Sequence, residues 1–208
     1  MTKPILYILD LESTLTPEIW VTVSQKSGVQ DLRVTTRDIP DYNALMRMRI
    51  EICRKNNLAL TRIQEIIKTI EPLPGAIDFL SHLKSQGPVI ILSDTFYQFA
   101  TPLIKKFDFP ALFCHSLSTD KEGFIADFHL RKDGGKREAV AALKGLGFYV
   151  VAIGDSHNDT AMLFEADKGF FIHAPETIAK EFPQFPSFTS YQELRKSLEE
   201  LAFENAQA

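Results

Sequence analysis

Cysteine is nearly absent: only Cys53 and Cys114 occur, at no spacing suited to a disulfide framework or a paired zinc site. The fold is therefore expected to rest on its apolar core, in a reducing compartment. Histidines 115, 129, 157 and 173 are scattered, and no ligand spacing recurs among them. Blocks of Lys or Arg are also missing, and the formal net charge is −4. Gripping a phosphate backbone takes a basic footprint, so no nucleic-acid partner is expected. Nor does any apolar run approach the ~18 residues that would suggest a bilayer span. The opening MTKPILYILDLE lacks the long apolar stretch and small-residue cleavage site of a secretory signal. A soluble, cytoplasmic protein with no membrane partner is the expectation. Internal repeats and low-complexity tracts are lacking too.

What remains is ordinary globular material: 208 residues, 45% hydrophobic and 24% charged, with sixteen phenylalanines for a core. That suits one good-sized domain, or a domain carrying a small insert. Pro4–Asp10 reads as a buried strand. Helical patterns follow over Glu18–Ser27, Tyr42–Asn56 and Thr61–Ile70, the second with Leu45, Met46 or Met48, Ile50 and Cys53 at three- and four-residue steps. After EPLPG (71–75) the rhythm changes. Helices over about 75–86, 96–107, 136–145 and 158–166 alternate with strands at 88–93, 111–115, 148–155 and 169–174. A hairpin is expected at 117–130 around the Asp120–Gly123 turn, and a last helix over 191–203.

Strands separated by helices imply an α/β fold: a doubly wound, Rossmann-like parallel sheet with helices on both faces. The all-helical stretch after the first strand breaks the pattern. It is read as a cap, residues 16–71, inserted into a core made of 1–15 and 72–208. In such a sheet, ligands bind beyond the carboxyl ends of the strands.

Those ends are where the chemistry-bearing residues fall. The first strand ends in Asp10 and Glu12, the second in Ser93-Asp94-Thr95, the third in GDSHND with Asp155, Asn158 and Asp159. Lys136 opens a helix just after Gly134-Gly135. Each alone has a plain explanation as a helix cap or a solvated charge; their convergence on one sheet edge does not. Clustered carboxylates without His or Cys suit a hard, oxygen-seeking cation, Mg²⁺ above all. Asp10, Asp155 and the Glu12 carbonyl would be its ligands, leaving the Glu12 carboxyl for proton transfer. Lys136 and Ser93 would cradle a phosphate, one by charge and one by its hydroxyl.

These residues together resemble the haloacid dehalogenase superfamily of phosphotransferases. DLESTL is similar to its nucleophile loop, ILSDT to its serine/threonine loop, Lys136 to its lysine and GDSHND to its acidic loop. The helical insert resembles the cap of phosphoserine phosphatases. TTRDIPDY, ILSDTFY, GDSHNDT, HAPE and EFPQFP resemble the subgroup that also transfers the phosphoryl group to homoserine. The resemblance implies Asp10 as the nucleophile that becomes an aspartyl-phosphate and Glu12 as acid/base. It also implies Ser93 and Lys136 as phosphate ligands, with Asn158 and Asp159 orienting Lys136 and the metal shell. In the cap it places Glu18 on the substrate ammonium and Arg49 on its carboxylate, with Asp94 and Thr95 beside the substrate. Phosphoserine and homoserine would be the small-molecule partners of a monomer or homodimer. Two departures stand out: Glu12 occupies a position that is usually Asp, and Asp94-Thr95 replace the glycines usual in phosphoserine phosphatases.

Three rivals share parts of this reading. A phosphatase for another small metabolite would keep the core loops. A metal-free dehalogenase would leave Glu12, Asp155 and Asp159 as uncompensated charge. A non-catalytic phospho-ligand-binding module would have no reason to keep a repelling cluster.

Overall fold

The computed structural model describes residues 3–36 and 38–207; positions 1, 2, 37 and 208 of the expected core and cap ranges lie outside the described residues. Strand β1 (Ile5–Leu9) is followed by helices α1 (Ile19–Ser27), α2 (Tyr42–Lys55) and α3 (Leu60–Lys68), with a 3₁₀ turn at Gln30–Arg33 between the first two helices. The chain then alternates: α4 (Ala76–Gln86), β2 (Val89–Phe96), α5 (Tyr97–Ile104), β3 (Ala111–Thr119), β4 (Ile125–His129), α6 (Gly135–Gly145), β5 (Tyr149–Gly154), α7 (His157–Glu165) and β6 (Lys168–Ile172). A short helix α8 (Glu176–Glu181), strand β7 (Ser187–Phe188) and α9 (Tyr191–Gln207) complete the order. Among the described residues, no helix is long and apolar enough to cross a membrane.

The sheet runs β4-β3-β2-β1-β5-β6-β7 and is parallel except for the β3–β4 pair. β1 lies in the middle, with Tyr7 opposite both Val89 and Val151. Its side chains alternate between two cores. Tyr7 and Leu9 join a large cluster with Leu83, Ile91, Val151 and Ile153. Leu6 and Ile8 join a smaller one with Val150, Ala152, Met162 and Phe171. The large cluster also takes in the helical insert, through Trp20, Met46, Ile63 and Ile67. Trp20 meets Phe99 of α5 edge-on, with ring centroids 5.3 Å apart. The two chain crossings between insert and sheet run side by side, joined by the Leu73 N–H donating to the Leu15 carbonyl (2.9 Å).

The sequence reading needs three corrections. β2 runs on to Phe96, so Asp94 and Thr95, expected just beyond the strand at 88–93, lie within it. The register against β3 shifts between Leu92 and Phe96, so these residues sit at an irregularity of the pairing. The segment 111–115 and the first arm of the hairpin are one strand, β3, whose second half pairs with antiparallel β4. Finally, α8 and β7 were not expected; both are short and flank Pro183 and Pro186, where periodicity has too few residues to show.

Candidate active site

The loop leaving β1 is tight. Asp10 stays in the sheet's hydrogen bonding, donating its N–H to the Ile153 carbonyl (3.0 Å). The amides of Leu15 and Thr16 then both return to the Leu11 carbonyl (2.8 and 3.0 Å). Ser13 takes a left-handed conformation, φ 59°, which reverses the chain within a few residues. This turn sends Asp10 and Glu12 into the same cavity. The Glu12 carboxylate accepts the Ile19 N–H (2.8 Å), one of the free amides at the start of α1.

Beyond the strand ends lies a pocket of about 190 Å³. Asp10, Ser93, Asp155 and Lys136 line it from the sheet side. Lys136 Nζ donates to Asp10 Oδ1 and to Asp159 Oδ1, both at 2.7 Å, and lies 3.7 Å from Asp94 Oδ2. Asp159 is fully buried beneath the pocket. Its second oxygen accepts the N–H groups of Asp155 and Ser156 (3.0 Å each) and the Ser156 hydroxyl (3.1 Å), as part of the capping box of α7. Asp159 can sit this close because residue 154 is glycine: a Cβ there would lie 2.4 Å from the Asp159 Cβ. Ser93 is buried, and its hydroxyl accepts the Thr95 N–H (3.3 Å).

Carboxylate oxygens of Asp10, Asp155 and Asp159 lie within 4.8 Å of one another. Three buried acids at that distance suit a divalent cation with oxygen ligands. Both Asp159 oxygens are already engaged, by Lys136 and by the α7 turn, which favours Asp10 and Asp155 as the ligands. The charge balance leaves its mark on proton affinities. Burial and the neighbouring Asp159 and Asp155 outweigh Lys136 and push Asp10 well above the usual carboxylate range. Lys136 loses affinity through burial, but Asp10, Asp159 and Asp94 more than compensate and raise it well above an ordinary lysine. Glu12 is raised to about 7, chiefly by burial and then by Glu18, against the opposing pull of the Ile19 N–H, Arg49 and the Thr95 hydroxyl.

The helical insert supplies the roof: Glu18, Trp20, Tyr42, Leu45 and Arg49. Arg49 falls on the same helix as Arg47 and Arg54, yet only 6% of it is exposed. Its guanidinium lies over the Trp20 ring, 4.9 Å from the centroid, and Nη2 donates to the Val34 carbonyl (2.8 Å). Its Nε has no hydrogen-bond partner among the described residues. A buried cation with an unmade bond, facing a pocket, is what an anionic ligand group would complete. Glu18 accepts the Ser13 hydroxyl (3.2 Å). Of α2's two methionines, Met46 is the buried one.

Asp10, Glu12, Glu18, Arg49, Ser93 and Asp94 thus share one pocket with Thr95, Lys136, Asp155 and Asn158, with Asp159 directly underneath. Asn158 is exposed at the rim. Trp20 and Phe96 are core and pocket wall at once. Tyr42, Thr36 and His115 were missed. Tyr42 donates to the Asp94 main-chain carbonyl (2.7 Å), linking insert to sheet across fifty-two positions of sequence. The only local signal was its place in the quoted TTRDIPDY stretch.

A sequence profile of the haloacid dehalogenase-like hydrolase family matches residues 6–167. The phosphoserine phosphatase of Pseudomonas syringae pv. tomato is 47% identical over 188 residues, 90% of this chain and 79% of that protein. Phosphoserine phosphatase ThrH of Pseudomonas aeruginosa is also 47% identical over 188 residues, 90% of this chain and 92% of its own length. In fold, the chain is similar to the structure of a phospho-aspartyl intermediate analogue of phosphoserine phosphatase. The TM-score is 0.77 at 22% identity, covering 94% of this chain and 99% of that one.

Proposed function

Since the chain belongs to the haloacid dehalogenase-like hydrolase family, we propose that it is a phosphoserine phosphatase working through an aspartyl-phosphate. The observation that carries this reading is the pocket's polarity. An acid–lysine floor faces a roof holding one acid, Glu18, and one cation with an unmade bond, Arg49. A phosphate below and an amino-acid zwitterion above would match it, and two phosphoserine phosphatases share 47% of the aligned residues. In this reading residues 16–71 act as the cap over a core of 1–15 and 72–208.

Asp10, Asp155 and the Glu12 carbonyl would hold Mg²⁺, which when bound supplies positive charge to the phosphoryl oxygens. The protein's own groups do the rest. Arg49 and Glu18 hold the carboxylate and ammonium, and Lys136 and Ser93 hold phosphoryl oxygens. A carboxylate oxygen of Asp10 attacks phosphorus. The bond from phosphorus to the serine oxygen breaks, its electron pair leaves on that oxygen, and the protonated Glu12 supplies the proton. Water, giving a proton to the now ionised Glu12, then attacks the same phosphorus, and the Asp10 carboxylate is released. A carboxyl poised near 7 is suited to both proton transfers. Little covalent help is available beyond Asp10, so alignment and charge neutralisation carry most of the acceleration.

The reading extends to homoserine as an alternative acceptor. It carries the same ammonium and carboxylate as serine with one more methylene, and a methylene typically discriminates by only ~10–200-fold. The test is phosphate release from a panel of phosphorylated amino acids and nucleotides, with and without Mg²⁺ and homoserine. Phosphoserine should lead the panel and need the metal. Equal turnover of nucleotides, or metal-independent turnover, would refute the assignment.

A further inference from the structure

His115 is a buried histidine that the steps above leave without a task. It lies on β3, and its Nδ1 accepts the Arg131 N–H (3.1 Å). An accepting Nδ1 leaves the ring proton on Nε2. That nitrogen faces Asp94 Oδ1 at 3.7 Å. The other Asp94 oxygen, Oδ2, stands 3.7 Å from Lys136 Nζ. Tyr42 holds Asp94 from the insert side through its main-chain carbonyl, and its ring packs edge-on to the imidazole, centroids 6.0 Å apart. The charged or titratable groups facing the imidazole are thus Asp94 from β2, Arg131 after β4, Lys136 from α6 and Tyr42 from α2. Burial keeps the ring's proton affinity below that of a free histidine, so it is neutral at neutral pH.

The geometry has a purpose if the donors of Lys136 are counted. An ammonium has three N–H groups. Asp10 and Asp159 take two at 2.7 Å. A phosphoryl oxygen needs the third. Asp94, with its side chain 39% exposed, is the carboxylate placed to take it, and a short rotation would close 3.7 Å to a bond. We propose that His115 is a positioning residue that, together with Tyr42, holds Asp94 back from Lys136. The third donor then stays open to phosphate while Asp94 still contributes its charge. The inference rests on the proposed use of Lys136 as the phosphate's cation.

Two substitutions separate the two ends of the imidazole. His115→Asn keeps an acceptor near the Arg131 amide but loses the group facing Asp94; His115→Gln keeps an N–H where Nε2 stood. The assay is kcat and KM for phosphoserine and for 4-nitrophenyl phosphate, with thermal midpoints alongside. His115→Asn is expected to lower kcat/KM for both substrates about tenfold, the worth of one charge-assisted hydrogen bond. His115→Gln should retain most activity. The decisive comparison is Asp94→Ala alone against His115→Asn/Asp94→Ala. The first loses activity of its own because Asp94's charge is gone, and adding His115→Asn to it should lower kcat/KM no further, because no competing carboxylate is left to hold back. Full activity in His115→Asn, equal losses in Asn and Gln, or a further full loss when His115→Asn is added to Asp94→Ala would overturn the proposal. Should His115→Asn not fold, Tyr42→Phe alone and with Asp94→Ala carries the same test from the other side. The aryl phosphate reads Lys136 even if phosphoserine is not the substrate, so failure of this inference is distinct from failure of the functional reading.

Discussion

Arg49 offers the sharpest test of the amino-acid roof. Its guanidinium is held by the Trp20 ring and one carbonyl, and burial lowers its proton affinity to about 10. A bound carboxylate would complete its bonding and repay part of that desolvation. Arg49→Met keeps most of the chain length over Trp20 while removing charge and donors. Hydrogen bonds to charged groups contribute about 1.5–3 kcal/mol, and each 1.36 kcal/mol is a factor of ten. The expected loss in kcat/KM for phosphoserine is therefore roughly 10–150-fold. For 4-nitrophenyl phosphate, which has no carboxylate, it should stay within about threefold, since only packing changes. Arg49→Lys should fall between, as a point charge cannot reproduce the planar fork. Steady-state phosphate release on both substrates decides the matter. Equal losses on both would show that Arg49 supports the insert's shape and does not read the substrate.

Asp10→Asn should reduce phosphate release to background on every substrate, and dialysis against a chelator should do the same reversibly, with Mg²⁺ restoring activity; persistence of either activity would refute the nucleophile or the cation. Gly154→Ala must displace Asp159, since the new Cβ would lie 2.4–2.6 Å from three of its atoms. Overpacking of this kind costs about 1–3 kcal/mol, and because Asp159 grips Lys136, turnover should fall with stability in urea-melt and activity assays. Glu12 gives a pH signature in chelator-treated protein. Its carboxyl is raised from 4.5 to about 7 in the fold, so the native state holds a proton that the unfolded chain releases. Stability from this group is full below about 4.5 and is lost as pH rises through 7, by about 3 kcal/mol at most. Glu12→Gln should therefore gain on the wild type at pH 8 but not at pH 4.5, measured by denaturant midpoints. A pH-independent difference would contradict the shift.

The parts of the site that were legible in sequence are those fixed by local chain direction. A buried strand that ends in an acid puts that acid at the sheet's rim, so Asp10 and Asp155 could be placed from hydropathy and topology alone. Lys136 was legible because a helix starts directly after two glycines. Arg49 was harder. Between Arg47 and Arg54 it looks solvated, and what covers it comes from elsewhere in the chain: the Trp20 ring of another helix and the Val34 carbonyl. Asp94 was legible in the Ser93-Asp94-Thr95 run, but its neighbour His115 depends on the pairing of β2 with β3, which leaves no mark on hydropathy. The hairpin was found, but its first arm was split from β3 because His115 and Ser116 interrupt the apolar run that otherwise marks a buried strand. Long-range packing, rather than pattern, decides such positions.

Trp20 against Phe99 has one more implication. The insert and the sheet do not merely touch; they share a single continuous apolar interior. Swinging the whole insert away like a door would wet that interior at about 25 cal/mol for each Å² bared. That cost ties the placing of the roof residues Trp20 and Arg49 to the packing of the sheet beneath them.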